Sequence, residues 1–265
     1  MRPYIFITND DGIDAPGIKA LTEVMMEIGE VIVVAPDQHR SGMSSAITVG
    51  SPLRTFLHEK NENITRYSCT GTPADCVKLA FDHLLDRTPD VVVSGINHGS
   101  NAAVNVIYSG TMGAAMEGSE HGIPSIGFSL LDHAHDADFE PIKAYVKQIT
   151  EEVLRKGLPD NVSLNVNAPK GEIKGAKVVR QCKGRWIEEY DKRTDPYGMD
   201  YYWLTGRFEN QEPDATDTDE YFLAQGYLSI VPTTIDMTAH NELKEISQWD
   251  FNPVGVIASN SRESK

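Results

Sequence analysis

Apolar residues fall along the chain in two alternating rhythms. Short continuous runs, "YIFIT" (Tyr4 to Thr8), "VIVVAP", "DVVVSG" and "PSIGFSL", carry β-branched and aromatic residues with no polar alternation. Such runs predict strands of a parallel sheet covered on both faces. Between them lie stretches with helical apolar spacing, "PGIKALTEVMMEIG", with Pro16 near its start and Gly29 at its end, "PADCVKLAFDHLLD", opened by Pro73, and "FEPIKAYVKQITEEVLRKG", while "TMGAAMEGSEHG" reads as a helix packed closely through small residues. Proline at a helix start and glycine past its end follow the usual asymmetry of helix termini. "ITVG", "LRTFLHE" and "ITRYSCTG" predict shorter strands, and "VSLNVNAP" closes the alternating series.

Strand, helix, strand, helix in this order predicts a Rossmann-like, doubly wound α/β sheet, mostly parallel, within one domain spanning 1–265. The pattern changes near Lys177. "KVVRQCKGRWIEEYDKR" and "MDYYWLTGRF" predict two long strands around "TDPYG", an extended β-hairpin over 177–207. "YLSIVPT" predicts a further strand, and "HNELKEISQW" a short helix within a C-terminal arm over 240–265. The aromatic hairpin either leaves the core to pair with another subunit or folds against its own domain; the residues alone leave both open.

Composition narrows the partners. Thirty-nine Asp and Glu against twenty-four Lys and Arg give a formal net charge of −15. A nucleic-acid polymer or an anionic membrane needs basic surface, so neither is expected as the main partner. A small anion remains compatible, since a cation or a helix N-terminus binds phosphate inside an acidic protein. The three cysteines, Cys69, Cys76 and Cys182, have no CxxC spacing, which argues against a disulfide framework or a structural zinc site. The first residues read as a strand and not as a signal peptide, so cytoplasmic residence is expected.

In open α/β sheets, ligands bind beyond the carboxyl ends of the strands. "NDDG", "DQHRSG" and "GINHGSN" each follow an expected core strand and should share that edge. Asp10 and Asp11 are adjacent. One account is a turn, in which Asp and Gly are common. An EF-hand loop fails, because with Gly12 as sixth residue Ile7 and Ile18 would stand where carboxylates are needed. An aspartyl-phosphate enzyme would need a nucleophilic carboxylate two residues before Asp11, where Asn9 stands. A third account is a hard divalent cation, Mg²⁺ or Mn²⁺, between the two carboxylates. Ser41 and Asn97 offer further oxygen ligands from the neighbouring loops.

"TNDDGIDAPGI", "VAPDQHRSG", "GTPADCVKLA", "SGINHGSN" and "YSGTMGAAMEG", in this order, resemble the SurE family of stationary-phase survival proteins. The motifs are dense in the first half and looser afterwards. The resemblance implies a metal-dependent phosphatase acting on nucleoside monophosphates, a 5′- and 3′-nucleotidase. It implies one divalent cation per subunit on Asp10, Asp11, Ser41 and Asn97. It also implies a homodimer or homotetramer built with the 177–207 hairpin and the C-terminal arm. A broader acid phosphatase or exopolyphosphatase, and a non-catalytic nucleotide sensor, are the alternatives.

Phosphate oxygens need donors besides a cation. Ser109, Gly110 and Thr111 open the helix of "YSGTMGAAMEG", where backbone N–H groups are free. Asn9 and Asn101 are candidate side-chain donors, and Ser44 lies near the metal loop. Ser109 and Thr111 could equally be ordinary helix caps. His39 and His98 adjoin the ligands, either as general acids or as solvated loop histidines. Cys76 reads as a small core residue.

Overall fold

The computed structural model describes residues 2–134 and 136–251. Its centre is a nine-stranded sheet in the order β3-β4-β2-β1-β5-β6-β7-β13-β8. The parallel body is β1 (Tyr4–Thr8), β2 (Glu30–Pro36), β4 (Ile64–Cys69), β5 (Val91–His98), β6 (Ser125–Leu130) and β7 (Val162–Ala168). β3 (Thr55–Lys60) runs antiparallel to β4 and β13 (Leu228–Thr234) antiparallel to β7, and β8 (Ala176–Val178) pairs parallel with β13.

All five residues of β1 are buried because both faces are covered. Ile5 and Ile7 pack with Ile18, Leu21 and Met25 of α1 (Pro16–Ile28) and with Ile142 and Val146 of α4 (Glu140–Lys156). Tyr4 and Phe6 point the other way, into a cluster with Cys76 and Val77 of α2 (Pro73–Leu79) and Ala114 of α3 (Gly110–Glu120). The strand period of two thus assigns alternate residues to two helical layers. A π-helical turn, Ala80–Leu84, extends α2, and a 3₁₀ turn, Ala103–Tyr108, precedes α3.

From β1 the chain winds toward β2 and β4 on one side, then crosses to β5 on the other. The loops after β1 and β5 therefore part in opposite directions, which opens a crevice at the strand ends. A β-bulge sharpens it: against β6, three steps of β5 from Ser94 to Asn97 match two from Gly127 to Ser129.

Two expectations differ. "ITVG" forms no strand: the Thr48 N–H and hydroxyl both bond the Asp75 carboxylate, which takes the place of a ladder partner. The hairpin is also not continuous over 177–207. Residues 176–178 belong to the main sheet as β8, and the excursion runs from 184 to 210 in two ladders. β9 (Gly184–Ile187) pairs with β12 (Arg207–Asn210), and β10 (Tyr190–Thr194) with β11 (Asp200–Leu204). Left-handed backbone at Glu188 (φ 55°) and Gly206 (φ 99°) separates the ladders. Beyond that break Tyr190, Tyr201, Tyr202, Trp203 and Leu204 are exposed.

Chain contacts separate a large unit ending at Ile235 from a small one beginning at Asp236. Within the latter, Asp236 pairs with His240 at 2.7 Å and α6 covers Leu243–Ile246. Residues 252–265 of the expected arm lie outside the described residues. No helix among the described residues is long and apolar enough to cross a membrane.

Gly17, in the first turn of α1, lies against the bulge, where a Cβ would overlap the Ile96 carbonyl oxygen. An exposed helical Gly→Ala change gains about 1 kcal/mol from propensity. Gly17→Ala is expected to have the opposite sign and cost about 2 kcal/mol through overpacking, read by urea denaturation. A stabilised variant would show that the α1–β5 contact is loose.

Candidate metal and phosphate site

The end of β1 is held from three directions. Asn9 is fully buried and braces its own turn: Nδ2 donates to the Gly12 carbonyl at 3.0 Å, and the Gly12 N–H donates to Oδ1 at 3.2 Å. Gly12 adopts φ 102°, a left-handed conformation natural to glycine. The Arg40 N–H donates to the Asp10 carbonyl at 2.7 Å, which fixes the loop carrying Ser41 to the acidic pair. The Asp11 carboxylate accepts the His98 N–H at 3.2 Å and lies 3.3 Å from His39 Nδ1. All three loops that follow core strands are therefore tied to Asp10 or Asp11.

Asp10 is 3% exposed, and its Oδ1 accepts the Thr111 hydroxyl at 2.6 Å. Burial, then the adjacent Asp11 charge, pushes its carboxyl up to about 6, against the opposing pull of the Thr111 hydrogen bond. Among the described residues no lysine or arginine side chain pairs with either carboxylate, and the His39 side chain beside Asp11 is 67% exposed. Gly110 permits this packing: a Cβ there would stand 2.8 Å from the Asp10 Cβ.

Asn97 follows the bulge, and its Nδ2 donates to the Gly99 carbonyl at 2.9 Å, leaving Oδ1 as the group available to a cation. Asp10, Ser41 and Asn97 line one cavity of about 800 Å³. Asp11 joins this group through its bond to the neighbouring His98, which also lines the cavity. Two carboxylates, a hydroxyl and an amide oxygen are a hard-oxygen set, and neither carboxylate is paired with a lysine or arginine among the described residues. The all-oxygen set fits a hard divalent cation better than zinc, and the adjacent negative charges favour a divalent cation of either kind.

On the same cavity Ser109 caps α3, accepting the Met112 N–H at 3.0 Å, and its hydroxyl proton remains free to donate. The Gly110 and Thr111 N–H groups have no acceptor among the described residues, as befits a helix start. Asn101 also lines the cavity, within a buried amide network: its N–H donates to Asn167, its Nδ2 to Ser129, and its carbonyl accepts from Asn165.

Three expected phosphate contacts are placed differently. The Asn9 amide is used within its turn, the Thr111 side chain orients Asp10, and the Ser44 hydroxyl donates to the Ile107 carbonyl at 2.7 Å. None of the three lines the cavity. Each of these side chains is hydrogen-bonded to protein groups, while the Thr111 backbone N–H stays open at the helix start.

The residues match the family profile described as "Survival protein SurE" over 5–188. The chain belongs to the SurE family. A protein of Flavobacterium psychrophilum called 5′-nucleotidase SurE is 55% identical over 255 residues, covering 95% of this chain and 99% of its own. One of the same name from Chlorobaculum tepidum is 42% identical over 251 residues, covering 94% and 95%. The crystal structure of SurE protein from Aquifex aeolicus superposes with a TM-score of 0.80 at 38% identity, over 92% of this chain and 98% of that one.

Within this SurE chain, the excursion supplies a wall that sequence reasoning linked mainly to assembly. Trp186, Tyr190 and Phe208 line the cavity, and the Trp186 indole N–H donates to the Asn105 side chain at 2.7 Å. Asp219, fully buried and not anticipated, secures that wall by accepting the N–H groups of Ala103, Cys182 and Glu220, each at 2.8 Å. It lies in "DATDTDE", where nothing in the acidic run distinguishes it. Asn165 and Asn167 had a readable signal, since alternate positions of a strand share a face.

Proposed function

We propose that this chain hydrolyses nucleoside monophosphates to nucleoside and inorganic phosphate, as a phosphoric monoester hydrolase requiring a divalent cation, Mg²⁺ or Mn²⁺. The observation that carries this reading is the adjacent Asp10 and Asp11 carboxylates, Asp10 buried and neither paired with a lysine or arginine among the described residues, beside a cavity that Asp10 shares with the N-cap of α3. The names of the relatives, 5′-nucleotidase SurE, point the same way.

Asp10, Asp11, Ser41 and Asn97 would hold the cation. When bound it supplies Lewis-acid polarisation of a phosphate oxygen and makes water more acidic. The chain's own groups do the rest. The Ser109 hydroxyl and the Gly110 and Thr111 amides donate to phosphate oxygens, where the positive end of the helix dipole favours negative charge. Thr111 holds Asp10 in one rotamer, and the His98 N–H does the same for Asp11. Water adds to phosphorus as the ester P–O bond breaks, and the nucleoside leaves with its oxygen protonated. Asn9, already bonded on both amide atoms and never a carboxylate, argues against a phospho-enzyme.

Assembly belongs to the same reading. The exposed aromatics of β10 and β11, and the segment after Asp236, are suited to contacts between copies of the chain as a dimer or tetramer. Deleting residues 190–204 is expected to lower the mass in solution, measured by light scattering; an unchanged mass would contradict this role.

Phosphate release from nucleoside monophosphates is expected to vanish after chelation and to return with Mn²⁺ or Mg²⁺. Asp10→Asn is expected to lower kcat by at least about a hundredfold. Its fold should be no less stable without metal, because the substitution removes one of two like charges. Activity that survives chelation, or near-wild-type turnover in Asp10→Asn, would defeat the proposal.

A further inference from the structure

The excursion that walls the cavity is rich in acids, and nearly all are paired with protein groups. Glu188 pairs with Arg207, Asp191 with Arg193, Asp200 with Lys192, Glu209 with Arg185, and Glu212 with Arg180. Asp195 accepts two turn amides, from Tyr197 and Met199. Glu189 stands apart. Its backbone carbonyl accepts the Thr205 N–H, but its carboxylate bonds to no described residue, and it lines the cavity. Glu220, in the first turn of α5 (Asp219–Ala224), is the second such acid. Its N–H is held by Asp219, while its half-buried carboxylate has no hydrogen bond or ion pair among the described residues. Burial, then the neighbouring Asp219 charge, raises its carboxyl above the ordinary value.

A place in the first helical turn accounts for an acid at 220, since the dipole favours it there. It does not account for two unpaired acids on one cavity. No lysine or arginine lines that cavity, although five Arg and Lys side chains in the same region are spent on other carboxylates. Apart from the His98 and His133 side chains, the cavity's place for negative charge is at the acidic pair with its cation and the start of α3. The wall bearing Glu189 and Glu220 accepts hydrogen bonds and repels anions.

Resting on the monophosphatase reading, we propose that Glu189 and Glu220 are specificity-determining residues that admit the neutral, donor-bearing half of a nucleoside monophosphate and reject substrates carrying further phosphates. The hydroxyls of a ribose and the N–H groups of a base donate to carboxylates, and Trp186, Tyr190 and Phe208 offer apolar faces beside them. A nucleoside diphosphate brings added negative charge with no lysine or arginine on the cavity to meet it. At the effective dielectric of a partly open cavity, such a repulsion changes relative rates by about tenfold.

The test compares AMP and ADP as substrates, with Mn²⁺ in fixed excess, for the wild-type protein, Glu189→Gln, Glu220→Gln and the double variant. The expected result is a rise of about tenfold in the ADP-to-AMP ratio of kcat/KM in the double variant. In the wild type, added KCl should raise the same ratio by screening, and the double variant should respond less. Glu189→Gln, at an exposed position, and the salt series keep the test available if Glu220→Gln folds poorly. A wild type active on AMP whose ratio moves neither with salt nor with substitution overturns this inference alone. A wild type that releases phosphate from no nucleotide removes the monophosphatase reading and this inference with it.

Discussion

Two like charges held side by side, one of them buried, organise this molecule. Asp10 sits at the carboxyl end of the central strand with its carboxyl pushed up to about 6, because burial and the Asp11 charge both disfavour ionisation. The surrounding bonds preserve the arrangement without neutralising it. A backbone amide holds the Asp10 carbonyl, a threonine hydroxyl holds its side chain, and a second amide holds Asp11. Hydrogen bonds of this kind fix position while leaving charge for a cation to neutralise, as a preorganised site requires.

The fold delivers these groups to one place. β1 and β5 are neighbours whose following connections diverge, so Asp10 and Asn97 end on the same edge of the sheet. The bulge in β5 then places Asn97 one residue out of simple register. Close approach completes the site. Gly17 admits the bulge against α1, and Gly110 admits Asp10 against the start of α3. The excursion between 184 and 210 adds the second half of the cavity, and Asp219 and Asn105 clamp that half to the first.

Much of this was legible in the sequence. Continuous apolar runs revealed strands covered on both faces, and the loop motifs after them could be placed on one edge by the parallel topology alone. The SurE resemblance, carried by five ordered motifs, agrees with the family match and with the related crystal structure. The direction in which a polar side chain points was not legible. Thr111 could donate to a phosphate or to a carboxylate, and it donates to Asp10; Asn9 and Ser44 are spent inside turns and loops. Nor did sequence locate the break in the hairpin: one of its two left-handed positions is Gly206, but the other is Glu188, which no glycine marks. "ITVG" had strand propensity, but the Asp75 side chain took its donors.

The central claim is that the chain holds its carboxylates ready for a cation, with Thr111 orienting the buried one. Mn²⁺ titration of the metal-free protein by calorimetry tests it most directly, with Thr111→Val measured beside the wild type. One site per chain in the wild type, weakened about tenfold or more by Thr111→Val without unfolding, is the result this account requires. No Mn²⁺ binding in the wild type, or equal affinity in the two proteins, would contradict it.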